Sequence, residues 1–202
     1  EEVAAVLLSW FPGQEGGAAL ADVLFGVEEP GGRLPTTWPA TLADAPVSEV
    51  TPLDGVLTYA EDLFIGYPAW ERHAVAPAYP FGHGLGYTTW AYEELTATQE
   101  RVTVRLRNAG DRPGRETVQI YASPVDAPTD RPARRLVGFA TVTAGPGETV
   151  TADIPLAARA FQLWDEEADG WAAAPGPYLL HASRNATEDL LTTELTVTRH
   201  RS

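Results

Sequence analysis

The strongest constraint on the fold is a continuous apolar run near the start of the chain, Val3-Ala4-Ala5-Val6-Leu7-Leu8. An unbroken apolar run of this length is typical of a strand that is covered on both faces, as in a parallel sheet. Such a strand needs partner strands along its edges and helices on both faces. The residues that follow supply one helix, so the run predicts a domain whose other strands lie upstream of residue 1.

The first residues of the sequence support that prediction. The chain contains no Met, even at position 1, and its opening residues already have the composition of a core. They show no basic or Ser-rich leader of the kind found in targeting segments. We therefore expect these 202 residues to be the C-terminal piece of a longer protein.

A single helix is expected after the apolar run. Phe11-Pro12-Gly13 interrupts the run, residues 15–25 have helical character, and Gly26 is placed as a C-terminal stop. Glu15 is expected in the first turn, where a negative charge favours the helix dipole. The sequence thus predicts a terminal β-α unit at residues 1–26, which ends an α/β sandwich domain begun upstream.

Residues 27–90 have a different character. They contain eight prolines among short apolar clusters, which predicts a wrapping segment and linker rather than another layered domain. Charge also changes near residue 90: residues 1–90 hold 12 acidic residues and two Arg, whereas residues 91–202 hold 16 acidic residues and 12 Arg. We expect a domain boundary at that point.

Residues 91–202 are predicted to form a β-sandwich. Val102, Val104 and Leu106 alternate with polar residues, which gives a strand with one apolar face. Seven strands are expected, at residues 101–107, 116–122, 135–143, 149–154, 161–164, 177–182 and 190–198. This density is typical of an immunoglobulin-like or fibronectin type III-like sandwich, and the absence of Cys favours the latter. The predicted fold class is mostly β, with an incomplete α/β segment in front.

Composition excludes several classes of partner and cofactor. The net charge is −14 and all 14 basic residues are Arg, which disfavours nucleic acid because its binding depends on clustered cations. No apolar run approaches the ~20 residues of a membrane span. Without Cys there are no disulfides and no thiolate metal sites. We predict no cofactor, no nucleic acid partner and no membrane partner.

Two glycine-containing loops resemble ligand sites only superficially. Gly13-Gln14-Glu15-Gly16-Gly17 precedes the expected helix, as a phosphate-binding loop would, but it has no G-x-G-x-x-G pattern and no Lys. We interpret it as a tight connection. Asp165-Glu166-Glu167-Ala168-Asp169-Gly170 starts like a calcium loop, but its twelfth position is Gly176 rather than Glu. A hairpin between Trp164 and Trp171 explains this segment better.

Acidic clusters are the next candidates for chemistry. They are Glu28-Glu29, Glu61-Asp62, Glu93-Glu94 and Asp165-Glu166-Glu167. Glycoside hydrolysis needs two carboxylates at a defined spacing across a site, and adjacency along an extended chain does not provide it. We expect solvated surface charge, with Glu61 and Asp62 as the best exceptions because Tyr59, Phe64 and Tyr67 surround them in sequence.

The remaining candidates are histidines and tryptophans. His73, His83, His181 and His200 have no metal-ligand spacing, and no Ser stands beside a His and an acid in a recognisable pattern. The tryptophans could stack on sugars, although a buried aromatic core is the simpler interpretation; they are Trp10, Trp38, Trp70, Trp90, Trp164 and Trp171. From the residues alone, the chain has no self-contained active site.

Several stretches together resemble the C-terminal portion of family 3 glycoside hydrolases, the β-glucosidase and β-xylosidase family. In the first ninety residues they are Ser9–Gly17 (SWFPGQEGG), Ala21–Gly26 (ADVLFG), Gly31–Pro39 (GGRLPTTWP), Tyr59–Tyr67 (YAEDLFIGY) and Pro80–Thr88 (PFGHGLGYT). In the sandwich half they are Asn108–Asp111 (NAGD), Val118–Tyr121 (VQIY), Leu136–Phe139 (LVGF) and Pro175–Tyr178 (PGPY). These strings occur in order along nearly the whole chain.

The resemblance implies a specific division of labour. In that family a TIM-like barrel supplies the nucleophilic Asp, and an α/β sandwich domain supplies the acid/base Glu upstream of the stretch that matches Ser9–Gly17. The resemblance implies that the fragment's partners are the TIM-like barrel and the α/β sandwich domain, which lie upstream in the same enzyme. It also implies that the substrate is a glycoside or oligosaccharide and that the fragment alone is inactive. The intact enzyme would be a retaining, exo-acting β-glycosidase that needs no metal. No catalytic residue is carried over to this chain.

Two departures from the family pattern stand out, and one alternative class stays open. The usual Gly-Tyr-Arg is Gly66-Tyr67-Pro68 here, and the usual Gly-Leu-Ser-Tyr is Gly84-Leu85-Gly86-Tyr87. The alternative is a free-standing β-sandwich binding or adhesion module with an unusual extension. Carbohydrate binding by the sandwich through exposed Trp is a third possibility. An exposed apolar strand at Val3–Leu8 would argue against a free-standing module.

Overall fold

The computed structural model describes residues 3–47, 50–126 and 130–198. Strands dominate the second half of the chain, and the first half holds the two α-helices of the described residues. The helices are α1 (Gly16–Leu24) and α2 (Tyr67–His73). The strands are β1 (Trp90–Ala97), β2 (Arg101–Asn108), β3 (Gly114–Pro124), β4 (Arg135–Ala144), β5 (Thr149–Pro155), β6 (Gln162–Asp165), β7 (Gly170–Ala173), β8 (Gly176–Asn185) and β9 (Glu188–Val197).

Two antiparallel sheets form the predicted sandwich. One has the strand order β1-β2-β5 and the other β4-β3-β8-β9, while β6 and β7 make a separate hairpin. Their inner faces enclose one apolar cluster, whose fully buried members include Val104, Leu106, Ile120, Ile154 and Leu180. The mostly β, fibronectin type III-like fold is therefore confirmed.

Strand β2 shows how the sequence produces this core. Val102, Val104 and Leu106 are fully buried, whereas Arg101 and Arg105, on the opposite face, are exposed. Burial of each such aliphatic side chain stabilises the fold by roughly 1.5–3 kcal/mol, which is why alternation predicted this strand correctly. The hairpin expected between Trp164 and Trp171 also forms, with these two residues opposite each other.

Strand β1 was missed by the sequence analysis because a bulge interrupts its alternation. The pairing register with β2 shifts between Tyr92 and Glu94, so Glu93 is an extra residue that breaks the period-two pattern. The short strand Gly170–Ala173 was also not among the seven expected, although the hairpin to which it belongs was.

The helix after the apolar run forms as predicted, but the strand before it does not. Helix α1 is followed by Gly26 with a φ of 70°, and Glu15 is the N-cap rather than a first-turn residue. Residues 3–8 belong to no sheet of the described chain, and Val3 and Val6 are about 70% exposed. The strand stays a prediction for a longer protein, because its ladder requires neighbouring strands that the described residues do not include.

The described residues of the 27–90 segment contain the helix α2, which the sequence analysis did not predict, and the wrapping and linking role of the whole segment stays a prediction. Leu34 donates its N–H to the carbonyl of His83 at 2.8 Å, and Trp38 donates to Tyr79 at 2.8 Å. Gly66 caps α2 with a φ of 66°, and Pro68 lies in the first turn, where its missing N–H has no intrahelical partner anyway. The Pro that replaces the family's Arg is thus well placed. No helix of the described residues is long and apolar enough to cross a membrane.

Candidate functional site

Exposed apolar side chains are concentrated in the first part of the chain. Among the described residues, twenty large apolar side chains are exposed within residues 3–65, compared with five after residue 90. The most exposed are Phe11 (99%) and Phe25 (85%). We call the exposed apolar side chains of residues 3–65 the N-terminal apolar surface. Contiguous exposed apolar surface is uncommon on monomeric proteins and is typical of interaction sites.

The backbone is strained within this surface. Trp10 has a φ of 48°, a left-handed conformation that Gly and Asn adopt readily but that is rare for a bulky residue. Its ring contacts Trp38 edge-on at 6.4 Å, and Trp38 in turn contacts Tyr79 at 6.2 Å. Strained conformations persist where the surroundings determine them, and they cluster at functional sites. Within described residues 3–65, Asp54 and Asp62 share this left-handed conformation, and Trp10 is the aromatic member of the three.

The end of α1 is anchored to the sandwich by Tyr87 and Arg112. The Tyr87 hydroxyl donates to the carbonyl of Val23 at 2.6 Å, and the Tyr87 N–H donates to the Glu29 carboxylate at 3.1 Å. Arg112 donates to the carbonyl of Gly26 at 2.7 Å. These bonds fix where the N-terminal apolar surface begins relative to the sandwich.

The Gly86 departure from the family pattern is explained by Glu29. A Cβ at Gly86 would lie 2.1 Å from the Glu29 carboxylate, so a Ser at this position would displace that carboxylate from the Tyr87 N–H. In this chain the Glu29 carboxylate occupies the space beside Gly86 and accepts the hydrogen bond from the Tyr87 N–H.

A buried carboxylate joins the linker to the sandwich. Glu116 of β3 is 1% exposed and accepts from Arg33 at 3.1 Å, from Arg184 at 3.2 Å and from the Tyr92 hydroxyl at 3.0 Å. Burial, together with the negative charge of Glu116, strongly raises the pKa of Tyr92, so its hydroxyl stays protonated as a donor. Because Arg33 belongs to the linker, this cluster holds the two parts of the chain together.

The outer face of β3 is covered by the linker rather than by solvent. Tyr121 contacts the Tyr67 ring edge-on at 5.8 Å and donates to the Gln119 side chain at 2.8 Å. Gln119 in turn donates to the carbonyls of Gly82 and Arg184. The Tyr67 hydroxyl accepts from the N–H of Leu136 at 2.8 Å. A polar network therefore fastens residues 67–83 onto the four-stranded sheet.

Asp189 organises a second charged cluster at the far end of the same sheet. It accepts from Arg134 at 2.6 Å and from Ser183 at 2.7 Å, and it lies 3.1 Å from Nδ1 of His181. Burial by itself would raise the pKa of Asp189, but the hydrogen bonds from His181, Arg134 and Ser183 outweigh it and hold that pKa well below its usual value. Ser, His and Asp meet here, yet Ser183 is fully buried and bonded to the acid, so this is not a nucleophile–base arrangement.

The lowered pKa of Asp189 predicts a pH dependence of stability. The unfolded Asp has a pKa of about 3.9, so the unfolded state binds more protons than the folded state as the pH falls through that value. The contribution of Asp189 is complete above about pH 5 and is lost at lower pH. In urea titrations from pH 6 to pH 3, Asp189→Asn should therefore flatten the acid-side loss of stability.

The exposed Arg101–Asp153 pair provides the control for that titration. Asp153→Asn removes the same charge from a solvated ion pair, so it should leave the pH dependence nearly unchanged. Equal pH dependence in the wild type and in Asp189→Asn would show that the Asp189 cluster does not stabilise the fold.

The acidic residues singled out from the sequence do not converge on one site. Glu93 pairs with Arg105 and Arg107 on the exposed face of β2, and Glu94 pairs with Arg105. Asp165 accepts from the backbone N–H groups of residues 167 and 168, at 3.0 Å each, in the β6–β7 turn. Glu61 and Asp62 lie in a turn before Phe64, where Asp62 has a φ of 48°. The described residues contain no group of three or more potential metal ligands.

The glycine-rich stretch and the histidines are likewise dispersed. Gly13 and Gly16 form the turn into α1, where a Cβ at Gly16 would meet Pro12 at 2.5 Å. His73 ends α2, and burial followed by the charge of Arg33 lowers the pKa of His83, which contacts the Tyr79 ring. His200 lies outside the described residues.

The expectation of a buried aromatic core holds for Trp70 and fails for several other tryptophans. Trp70 is buried and Trp90 packs against the sandwich core, whereas Trp10, Trp164 and Trp171 are exposed. Trp164 meets Trp171 edge-on at 5.6 Å, and Arg159 lies 3.8 Å over the Trp171 ring.

Sequence reasoning missed the Glu116 cluster, although a signal was present. Glu116 has the same parity along its strand as Val118 and Ile120, so period-two alternation places a carboxylate on the core side of β3. A charged residue there requires buried cations, since charges are buried only when paired. Arg33 and Arg184 could not be assigned to it because they lie 83 and 68 residues away in sequence.

Comparison with known proteins gives these features a common context. Residues 1–87 match the glycosyl hydrolase family 3 C-terminal domain, and residues 116–186 match a fibronectin type III-like domain. The chain is 41% identical to a β-glucosidase of Rhizobium radiobacter, over 93% of this chain and 24% of that protein. It is 39% identical to a probable β-glucosidase K of Emericella nidulans, over 95% of this chain and 23% of that protein.

Solved structures agree with these relatives. DesR, a β-glucosidase from Streptomyces venezuelae crystallised in complex with D-glucose, matches with a TM-score of 0.86 at 32% identity, over 94% of this chain and 26% of that one. A β-glucosidase from Kluyveromyces marxianus matches with a TM-score of 0.85 at 34% identity, over 95% of this chain and 24% of that one.

The fold and the matched domains define a C-terminal region that ends in a fibronectin type III-like sandwich. The chain belongs to glycosyl hydrolase family 3 and corresponds to a C-terminal part of its members. It spans about a quarter of the length of the curated relatives that it matches.

Proposed function

We propose that this chain is the C-terminal structural part of a retaining, exo-acting β-glycosidase of the β-glucosidase or β-xylosidase type. Its support is that the relatives named above are β-glucosidases which extend well beyond the region matched here. The substrate of the intact enzyme would be a glycoside or oligosaccharide, hydrolysed by double displacement between two carboxylates.

The observation that carries this proposal is the contrast between the two halves of the chain. The sandwich closes its own core, whereas the N-terminal apolar surface is uncovered in the described residues. In the proposed division, residues 1–26 complete an upstream α/β sandwich domain that follows a TIM-like barrel. Residues 27–90 tie the domains together, and residues 91–202 buttress them.

Neither catalytic carboxylate belongs to this chain in the proposal. We expect both of them upstream of Ser9–Gly17, as the family resemblance implies, and this expectation is supported by the acidic clusters described above, none of which faces a second carboxylate in a shared site. We therefore expect the isolated chain not to hydrolyse an aryl β-glucoside. Hydrolysis by the pure chain that disappears on Glu61→Gln or Asp62→Asn would overturn this proposal.

A chimaera tests the structural role directly. The 202 residues would replace the matching C-terminal quarter of the Rhizobium radiobacter β-glucosidase, to which they are 41% identical. A matched deletion of that relative, without its C-terminal quarter, is expected to be inactive or insoluble because its α/β domain is incomplete. The chimaera should regain hydrolysis of an aryl β-glucoside, and a soluble chimaera no more active than the deletion would contradict the proposal.

The alternative, a free-standing binding or adhesion module, is less well supported. Such a module would not expose Phe11 and Phe25 together with an unpaired apolar segment, because surfaces of this kind promote aggregation. Sugar binding through Trp164 and Trp171 has only partial support. Arg159 covers one face of Trp171, and the two indole rings pack edge-on against each other. A glycan pull-down with the chain tests that activity independently.

A further inference from the structure

The turn between β8 and β9 contains a sequence motif for N-linked glycosylation. Asn185-Ala186-Thr187 has the pattern N-x-T, in which the side-chain nitrogen of the Asn accepts the glycan. Because a glycan is bulky and hydrophilic, the motif is expected on an exposed loop. Thr187 is indeed exposed, but Asn185 is only 6% exposed. The acceptor residue is therefore enclosed in the folded chain.

The side chain of Asn185 holds this turn together. Its Oδ1 accepts from the N–H of Thr187 at 2.9 Å and from the Thr187 hydroxyl at 3.0 Å. A side chain that bonds the backbone two residues further on forms an Asx turn. Nδ2 of Asn185, the atom that would carry a glycan, donates to the Glu188 carboxylate at 3.1 Å. Both ends of the amide are thus engaged in shaping the hairpin.

The same turn is one of the places where the linker attaches to the sandwich. Ala186 is 7% exposed, and its N–H donates to the carbonyl of Phe81 in the linker at 2.9 Å. The carbonyl of Ala186 accepts from Arg134 at 3.2 Å. A substituent that forces the Asn185 amide into solvent must open the turn, and opening the turn breaks both bonds of Ala186.

We propose that Asn185 accepts an N-glycan only while the chain is unfolded, and that a glycan on Asn185 and the docked linker exclude each other. In the transfer, Nδ2 of Asn185 attacks C1 of the first sugar of a lipid-linked oligosaccharide diphosphate. The N–C1 bond forms, the bond between C1 and the diphosphate oxygen breaks, and one Nδ2 proton goes to a base of the transferase. The lipid diphosphate leaves. This attack requires an accessible Nδ2, which the folded turn does not offer.

The first test compares folded and unfolded acceptors in vitro. The complete 202-residue chain with Gly147→Asn and a synthetic peptide of residues 181–191 are each incubated with a single-subunit oligosaccharyltransferase and a lipid-linked oligosaccharide. Gly147→Asn is the control because it creates Asn-Glu-Thr in an exposed turn, where a φ of 73° suits Asn and a Cβ meets nothing within 4 Å. Mass spectrometry should show modification of the peptide and of position 147, with an initial rate at Asn185 of the folded chain at least tenfold lower.

The second test asks whether a glycan on Asn185 prevents docking of the linker. Two glycoforms are isolated from a secretory yeast and refolded from urea. One is the wild-type chain glycosylated at Asn185, and the other is Gly147→Asn/Thr187→Val, which is glycosylated at position 147 alone. We expect the wild-type glycoform either to stay insoluble or to exchange the Ala186 amide at least tenfold faster than the second glycoform, because the bond to Phe81 is lost.

Neither test involves an upstream domain, so both are independent of the β-glycosidase proposal. Three results would overturn the inference about Asn185. The first is equal initial rates at Asn185 and at position 147 of the folded chain. The second is a peptide that the transferase does not modify. The third is equally slow exchange of the Ala186 amide in the two refolded glycoforms, which would show that the glycan and the docked linker coexist.

Discussion

Replacing Glu116 by alanine is expected to lower the free energy of unfolding by about 3–5 kcal/mol, measured by urea titration at pH 7. The reason is that two arginines and a tyrosine hydroxyl converge on this one buried carboxylate. Removing it leaves Arg33, whose side chain is 10% exposed, and Arg184, whose side chain is 24% exposed, without their counter-charge. Breaking a buried pair from one side is far more costly than replacing both partners by apolar groups.

Glu93→Ala is the matched control, because Glu93 also pairs with two arginines. Its ion pairs are solvent-exposed, and such pairs contribute about 0–1 kcal/mol each. A Glu116→Ala variant that is no less stable than Glu93→Ala would show that the buried cluster does not hold the linker to the sandwich.

Gly82→Ala is the second substitution with a large expected effect, a loss of about 2–4 kcal/mol. Gly82 has a φ of 82°, so any side chain there is strained, and its Cβ would lie 2.2 Å from the Gln119 side-chain oxygen. Gln119 cannot move without losing its bonds to Gly82, Arg184 and Tyr121. The linker should then detach from the sheet, which faster amide exchange at Ala186 and Leu136 would report, because these N–H groups donate to Phe81 and Tyr67 of the linker.

Gly147→Ala separates strain from displacement. Gly147 has a similar φ of 73°, but a Cβ there meets nothing within 4 Å. This variant should lose only about 1–2 kcal/mol of stability, from the conformational penalty, and should leave amide exchange at Ala186 and Leu136 unchanged. If both variants behave alike, the network around Gln119 does not secure the linker.

Local sequence was enough to predict most of the sandwich. Alternation in β2 and the turns around Gly147 and Gly176 reflect interactions between residues close in sequence, and the structure confirms the strands that they predict. Strand β1 escaped because its bulge at Glu93 breaks the period on which the prediction rests.

The contacts that assemble the chain could not be predicted in the same way. Arg33 meets Glu116, and Arg134 meets Asp189, across long stretches of sequence. Such pairings depend on how the linker crosses the sheet, for which no local pattern exists. Helix α2 was missed because its seven residues begin with a Pro-containing turn that reads as a loop.

The apolar run at residues 3–8 is the opposite case, because its pattern predicted a paired strand that the described residues do not form. The run predicted a strand that needs neighbours, and the structure leaves it unpaired and exposed. The apolar pattern predicts that residues 3–8 are buried in a sheet. The pairing itself depends on strands that the described residues do not include.

The most direct measurement of the proposed role is the activity of the β-glucosidase chimaera with a charge placed in the N-terminal apolar surface. Phe11 is 99% exposed in this chain, so Phe11→Asp disturbs no contact within it, whereas it would place a charge in the proposed interface. Phe139→Asp, on the exposed face of β4, is the matched control. We expect Phe11→Asp to reduce aryl β-glucosidase activity or soluble yield by about tenfold or more, as a cost above 1.4 kcal/mol would, and Phe139→Asp to change neither. Equal activity and yield in the two variants would contradict the proposal that this surface is buried against an upstream domain.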